Sequence, residues 1–167
     1  DIWLQDGAGL SLGVWERHVV GSGDYRLLSV HGSDLNGDRR TDLIAGAWWF
    51  ENPGTPGGDW VKRQFPQMGG VVAVLDADGD GDPDLLGTRG QGSDANAEWL
   101  WLENGGAATW TVHDNLPTLG GNFVQGAVVA DLVAGGRPEV AVSWHDEVAY
   151  GVYLFTIPAD ATAPWAV

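Results

Sequence analysis

The chain contains no cysteine. That excludes a disulfide framework, a thiolate metal site and a cysteine nucleophile, and it leaves the redox compartment unmarked. Basic residues are scarce: 8 Lys and Arg stand against 23 Asp and Glu in 167 residues, a formal charge of −15. A surface of that sign argues against a phosphate-backbone binder, so no nucleic acid partner is expected. No apolar run approaches the roughly 20 residues of a spanning helix, so no membrane span is expected either. The first residues, DIWLQDGAGL, lack a basic n-region, and the expectation is a soluble chain whose export signal is not part of this sequence. A helical period is also missing from every window of ten or more residues.

What is present is apolar surface in short pieces. Hydrophobic residues make up 44% and include ten tryptophans, enough for a core and unlike a disordered acidic tail. Their runs are bounded by Gly, Pro, Asn and Asp, the punctuation of strands and turns. The chain reads as all-β.

Self-comparison reveals a repeat. WERHVV begins at Trp15, WVKRQF at Trp60, WTVHDN at Trp110 and WAV at Trp165, at spacings of 45, 50 and 55 residues. A second shared strand precedes each, ending in a turn: IWLQDGAG, WWFENPG, LWLENGG and VYLFTIPAD. Further upstream, three units share a strand, an acidic loop and another strand. Each unit thus holds four short strands and cannot bury both faces alone, which describes a β-propeller blade. The expected organisation is the outer two strands of one blade in 1–20, blade 1 in 21–66, blade 2 in 67–116 and a truncated blade 3 in 117–167. That is about three and a half four-stranded blades, half of a roughly seven-bladed ring, so the remaining blades belong to a longer chain or to a second copy.

Acidity concentrates in the loops. Asp34, Asn36, Asp38 and Asp42 in blade 1, and Asp76, Asp78, Asp80 and Asp84 in blade 2, place side-chain oxygens at positions 1, 3, 5 and 9. Position 7, Arg40 in one loop and Asp82 in the other, adds a main-chain carbonyl. Oxygen-only donors in a flexible loop suit Ca²⁺ better than the stricter octahedron of Mg²⁺, so two Ca²⁺ sites are expected. An EF-hand would need Glu at position 12, where Ala45 and Gly87 stand. The alternative is a solvated turn whose Asp and Asn side chains cap their own backbone. It has more weight in blade 1, where Arg39 replaces Gly81. The third loop, Asp131 to Glu139, keeps only its first and last acids, and no metal is expected there.

The DxDxDGxxD loop between paired strands, followed by a W-x-E-N-P/G turn and a W-x-x-H-x-x strand, resembles the FG-GAP or VCBS repeat of seven-bladed propellers, as in integrin α-chain heads and secreted bacterial proteins. The resemblance implies that the loop residues are calcium ligands with a structural role. It leaves function open, because such blades serve adhesion, lectin and enzyme scaffolds alike.

A ligand is expected on the face opposite the calcium loops, where connection lengths differ between blades. Trp144, His145 and Asp146 in blade 3, with Arg89 and Asp94 in blade 2, combine an apolar plate with polar groups suited to a sugar. The competing reading makes Trp144 a packing residue and the others solvated loop residues. Trp15, Trp60, Trp110 and Trp165 recur at one blade position and Trp3, Trp49 and Trp101 at another, which inter-blade packing explains. His18 and His113 read as structural, and His31 as lying near the calcium loop or the channel. Zinc has too few ligands, and no G-x-S-x-G elbow is present. With no catalytic constellation, the expectation is a secreted, extracellular, calcium-stabilised binding module for carbohydrate or an extracellular protein. A polysaccharide-lyase or dehydratase scaffold, with His145, Asp146 and His31 as acid/base or metal candidates, is one alternative; a self-assembling structural repeat is the other.

Overall fold

The structure is a computed structural model, and it describes residues 2–4, 16–21, 29–90, 98–119, 124–144 and 151–167. Every regular element among them is a strand. β1 (Ile2–Leu4) pairs with β2 (Glu16–His18). Sheet one holds β3 (Val30–Ser33), β4 (Asp42–Ala45), β5 (Trp48–Glu51) and β6 (Val61–Gln64). Sheet two holds β7 (Gly70–Leu75), β8 (Asp84–Thr88), β9 (Trp99–Asn104) and β10 (Trp110–His113). Sheet three holds β11 (Val124–Ala130), β12 (Glu139–Trp144) and β13 (Gly151–Phe155), extended by one bridge between Thr156 and Ala166. All pairings are antiparallel and each sheet is a simple meander, as the repeat requires.

Sheet two explains why its strands read as continuous apolar runs: it is covered on both sides. Val74, Leu85 and Leu102 pair across the sheet and pack toward Leu35, Ile44 and Trp49 of the first unit. The next row, Ala73, Leu86 and Trp101, packs toward Val140, Val142, Trp144 and Phe155 of sheet three. Since alternate residues face opposite ways, a slip of one residue would exchange the two rows. Each such Leu contributes about 2 kcal/mol by leaving water. Strand contacts between sheets run from one to two and from two to three.

The tryptophans follow the packing expectation where they are described. Trp49, Trp101 and Trp165 are buried, while Trp60 and Trp110 are half-buried. Trp15 and the Trp3 side chain lie outside the described residues. Asn115 ties the last segment to sheet two: it accepts from Trp101 Nε1 at 2.8 Å and donates to the Ala161 and Ala163 carbonyls at 2.7 and 2.6 Å. No helix among the described residues is long and apolar enough to cross a membrane.

Candidate metal centre

The acidic loops connect the first two strands of each sheet, and their ninth residue opens the second strand. Asp84 is fully buried there; its Oδ2 accepts the Ala77 N–H and its Oδ1 the Asn104 N–H, both at 2.8 Å. Asp42 does the same in the first loop, accepting from Leu35 at 3.3 Å and from Asn52 at 2.8 Å. In the third loop Glu139 accepts the Leu132 and Val133 amides at 2.9 and 3.1 Å. The ninth-position acid is therefore a backbone clamp in all three loops, whatever else it does.

In the second loop the remaining acids wind the chain inward. Asp76 accepts the Gly79 and Gly81 amides at 2.8 and 3.1 Å, Asp78 accepts the Asp80 amide at 3.0 Å, and Asp80 accepts the Asp82 amide at 2.8 Å. Gly79 and Gly81 take φ of 87° and 96°, left-handed values that a side chain resists. The result brings carboxylate oxygens of Asp76, Asp78 and Asp84 within 4.8 Å of one another. Oxygens sharing one cation at about 2.3–2.6 Å stand at most about 5 Å apart, so this spacing suits a common ion.

Burial and the neighbouring acids both register in the titration of these groups. Burial pushes the Asp84 carboxyl up to about 7, with Asp78 and Asp80 adding repulsion against the lowering effect of its two amide donors. Asp78 is raised by burial first, then by Asp80, Glu103 and Asp76. Glu103, from the end of β9, is a carboxylate that sequence reasoning did not assign. The signal was available, since Glu-Asn recurs as Glu51-Asn52 and Glu103-Asn104 beside the two loops. Glu103 also holds His113 Nε2 at 2.6 Å, and that ring stacks on Trp101 at 4.3 Å, so His113 is structural. Asp80 is exposed and Asp82 half-buried; neither belongs to the gathered trio.

The first loop is folded alike and gathered differently. Asp34 accepts the Asp38 and Arg39 amides at 3.1 and 2.7 Å, and Asn36 and Asp38 accept those of Asp38 and Arg40 at 3.1 and 2.9 Å. Arg39 occupies the left-handed position of Gly81, with φ of 67°. Arg40 contributes its side chain where a carbonyl was expected: the guanidinium pairs with Asp38 and donates through Nε to the Asn52 carbonyl at 3.0 Å. Asn36 turns its amide toward Glu51 at 3.4 Å. Among the described residues, the second loop is where three carboxylates converge.

The residues expected to bind a sugar do not form a described site. Trp144 is 5% exposed and lies in the core, its ring 5.9 Å from Trp99 and 5.0 Å from Tyr153. This corrects its reading as an open plate: β12 turns it toward sheet two together with Val140 and Val142. Arg89 pairs with Glu98 at 3.1 Å and reaches Asp114 at 3.8 Å. Asp94, His145 and Asp146 lie outside the described residues. His31 belongs to the packing between sheets. Ser29 gives its proton to the Val71 carbonyl at 2.9 Å, so His31 Nε2 donates to Ser29 Oγ at 3.0 Å, and burial lowers the imidazole pKa. A cavity of about 650 Å³ opens beside the 52–60 turn, lined by His18, Arg40, Asn52, Thr55, Asp59 and Trp60 among others. Compared with protein-family models, curated proteins and solved structures, the chain matches none of them.

Proposed function

We propose that the chain is a calcium-stabilised, propeller-type recognition module that works outside the cell. The observation that carries this reading is the convergence of Asp76, Asp78 and Asp84 within 4.8 Å on one loop. Burial first, and then mutual repulsion, raises Asp78 and Asp84; a hard divalent cation there would offset both, with Asp80 and the Asp82 carbonyl as further donors. The first loop is the weaker of two sites, since the Arg40 guanidinium already neutralises Asp38. Ca²⁺ loops of extracellular modules typically bind at about 0.1–1 mM, which is met outside cells and not within them. The propeller arrangement is supported by three meandering sheets that pack face to face in series, in keeping with the FG-GAP and VCBS resemblance.

Recognition of carbohydrate or an extracellular protein is proposed for the loops around this frame. The cavity beside Trp60 supports it, because an indole with amide, carboxylate and guanidinium neighbours matches a sugar's apolar ring face and its hydroxyls. Titration with Ca²⁺ under calorimetry, followed by glycan binding with and without chelator, tests the reading. Calcium-dependent melting together with retained glycan supports it; melting that ignores chelator removes the metal role. Turnover of a polysaccharide without stable binding would favour the enzyme scaffold instead.

A further inference from the structure

The repeat places matching residues at the two interfaces of sheet one, and only one of these interfaces is filled. Where sheet two packs on sheet one, Leu85, Leu102 and Phe65 are buried in one cluster, and the Phe65 and Trp110 rings meet edge to face with centroids 5.3 Å apart. One interface earlier, the same positions hold other residues. Leu43 follows its clamping acid as Leu85 does, Trp60 answers to Trp110, and Val20 stands five residues after Trp15 as Phe65 does after Trp60. All three line the cavity of about 650 Å³, and Leu43 is half-buried where Leu85 is 0% exposed. Gly32 pairs with Leu43 where Val74 pairs with Leu85. A valine in place of Phe65 and a glycine in place of Val74 thus remove bulk that the next interface keeps.

The rest of the wall is polar and held by local turns. The Thr55 carbonyl accepts the Gly58 amide at 3.0 Å, and Gly54 and Gly57 both take φ of 73°. A Cβ at Gly54 would stand 2.7 Å from Arg40 Cδ, so glycine there lets the Arg40 side chain lie along the turn. Arg40 is already neutralised: its guanidinium pairs with Asp38 and donates through Nε to the Asn52 carbonyl at 3.0 Å. The Asn52 side chain is engaged as well, donating to the Thr41 carbonyl and accepting the Gly54 amide. His18 is half-buried and has a neighbour of its own. Asp59 differs, being exposed and without an ion-pair or hydrogen-bond partner among the described residues.

We propose that this cavity takes a neutral sugar residue of a glycan, its ring face on Trp60 and its adjacent hydroxyls on Asp59. It rests on the carbohydrate reading of this cavity and narrows that reading to one wall and one charge class. An indole face suits the C–H face of a pyranose, and a carboxylate with both oxygens unengaged accepts neighbouring O–H donors in charge-assisted bonds. The volume lies within the range of ligand sites. A sugar acid would bring its carboxylate against Asp59 in a chain of formal charge −15, with Arg40 already paired.

The test is calorimetric titration in Ca²⁺, with cellotriose, maltotriose and mannotriose as neutral probes and trigalacturonate as the acidic one. Binding of a neutral probe is expected, and none of trigalacturonate. Val20→Phe copies the Phe65–Trp110 contact into the first interface; it should weaken the neutral probe by about tenfold or more and leave the melting temperature unchanged or higher. Asp59→Asn, at an exposed position, should weaken the same probe several-fold without changing the melt. Full affinity in either variant overturns the site, and tighter binding of trigalacturonate overturns the charge class; in both cases carbohydrate recognition itself stands. Absence of binding by every probe removes the site and the carbohydrate reading together.

Discussion

The side-chain amide of Asn104, at the end of β9, donates to the main-chain carbonyl of Leu35 at 3.0 Å across a sequence separation of 69. Arg137 repeats the bond one sheet further on, donating to the Ala77 carbonyl at 2.8 Å. Leu35 and Ala77 hold the same loop position, so the first and second acidic loops are each pinned by the unit that follows. Loop geometry at the candidate metal centre thus depends on inter-sheet packing as well as on the loop's own turns.

Loss of the first pin should cost more than loss of the second. Asn104 is 1% exposed, and Asn104→Ala leaves the buried Leu35 carbonyl without this donor, an expected cost of about 1–3 kcal/mol in urea unfolding. Arg137 is half-buried, so Arg137→Ala opens a path for water to replace its guanidinium at the Ala77 carbonyl, and about 0.5–1.5 kcal/mol is expected. Equal costs for the two would refute the ranking.

Arg39→Gly should stabilise the protein. At φ of 67° the Arg side chain opposes its backbone, and glycine removes that strain while returning some unfolded-state freedom. A net gain of about 0.5–1 kcal/mol is expected. The exposed Arg39 side chain offers little to lose, so a destabilised variant would show that its contacts outweigh the strain.

The chelated protein should lose stability as pH rises from about 4 to about 7. The folded Asp84 carboxyl is raised from 3.8 to about 7, so the native state holds a proton that the unfolded state gives up across this window. Its contribution is complete below the unfolded value and gone above the folded one. Asp42 and Asp78 are raised as well and act in the same direction. Saturating Ca²⁺ should flatten or reverse the slope, since an ion requires ionised carboxylates. Calorimetric melts of the parent and of Asp84→Asn, with and without Ca²⁺, check this; a chelated parent whose melting temperature climbs over that range contradicts it.

Calcium titration should resolve a tighter and a weaker event. Asp78→Asn should weaken the tighter by about tenfold or more, because it removes one charge of the gathered trio and leaves only the amide oxygen that Asn36 offers at the same place in the first loop. Arg40→Gln should strengthen the weaker by several-fold, because it frees Asp38 from its guanidinium partner. Calorimetry that finds the tighter event intact in Asp78→Asn would assign it to another loop.

Strand, turn and loop positions were legible in the sequence because they are set locally. The short apolar runs GVVAVL and WLWLEN, the Asx-rich turns, and glycines at the left-handed positions 79 and 81 act through neighbours a few residues away. The four-strand meander followed from the repeat alone. The site was legible only as a set of oxygen donors. Which loop gathers them was decided by Arg40 folding back onto Asp38, and the extra charge beside Asp78 by Glu103 arriving from β9. Trp144 makes the same point in the core. Its residue type suits a binding plate or a packed interior equally, and pairing register turned it toward sheet two. The sequence by itself thus determined an all-β chain of short strands and acidic hairpin loops. Beyond local contacts such as Arg40 on Asp38, only tertiary structure decided which side chains meet, because partners such as Glu103 and Asp78, or Trp99 and Trp144, lie tens of residues apart and only strand pairing and sheet stacking bring them together.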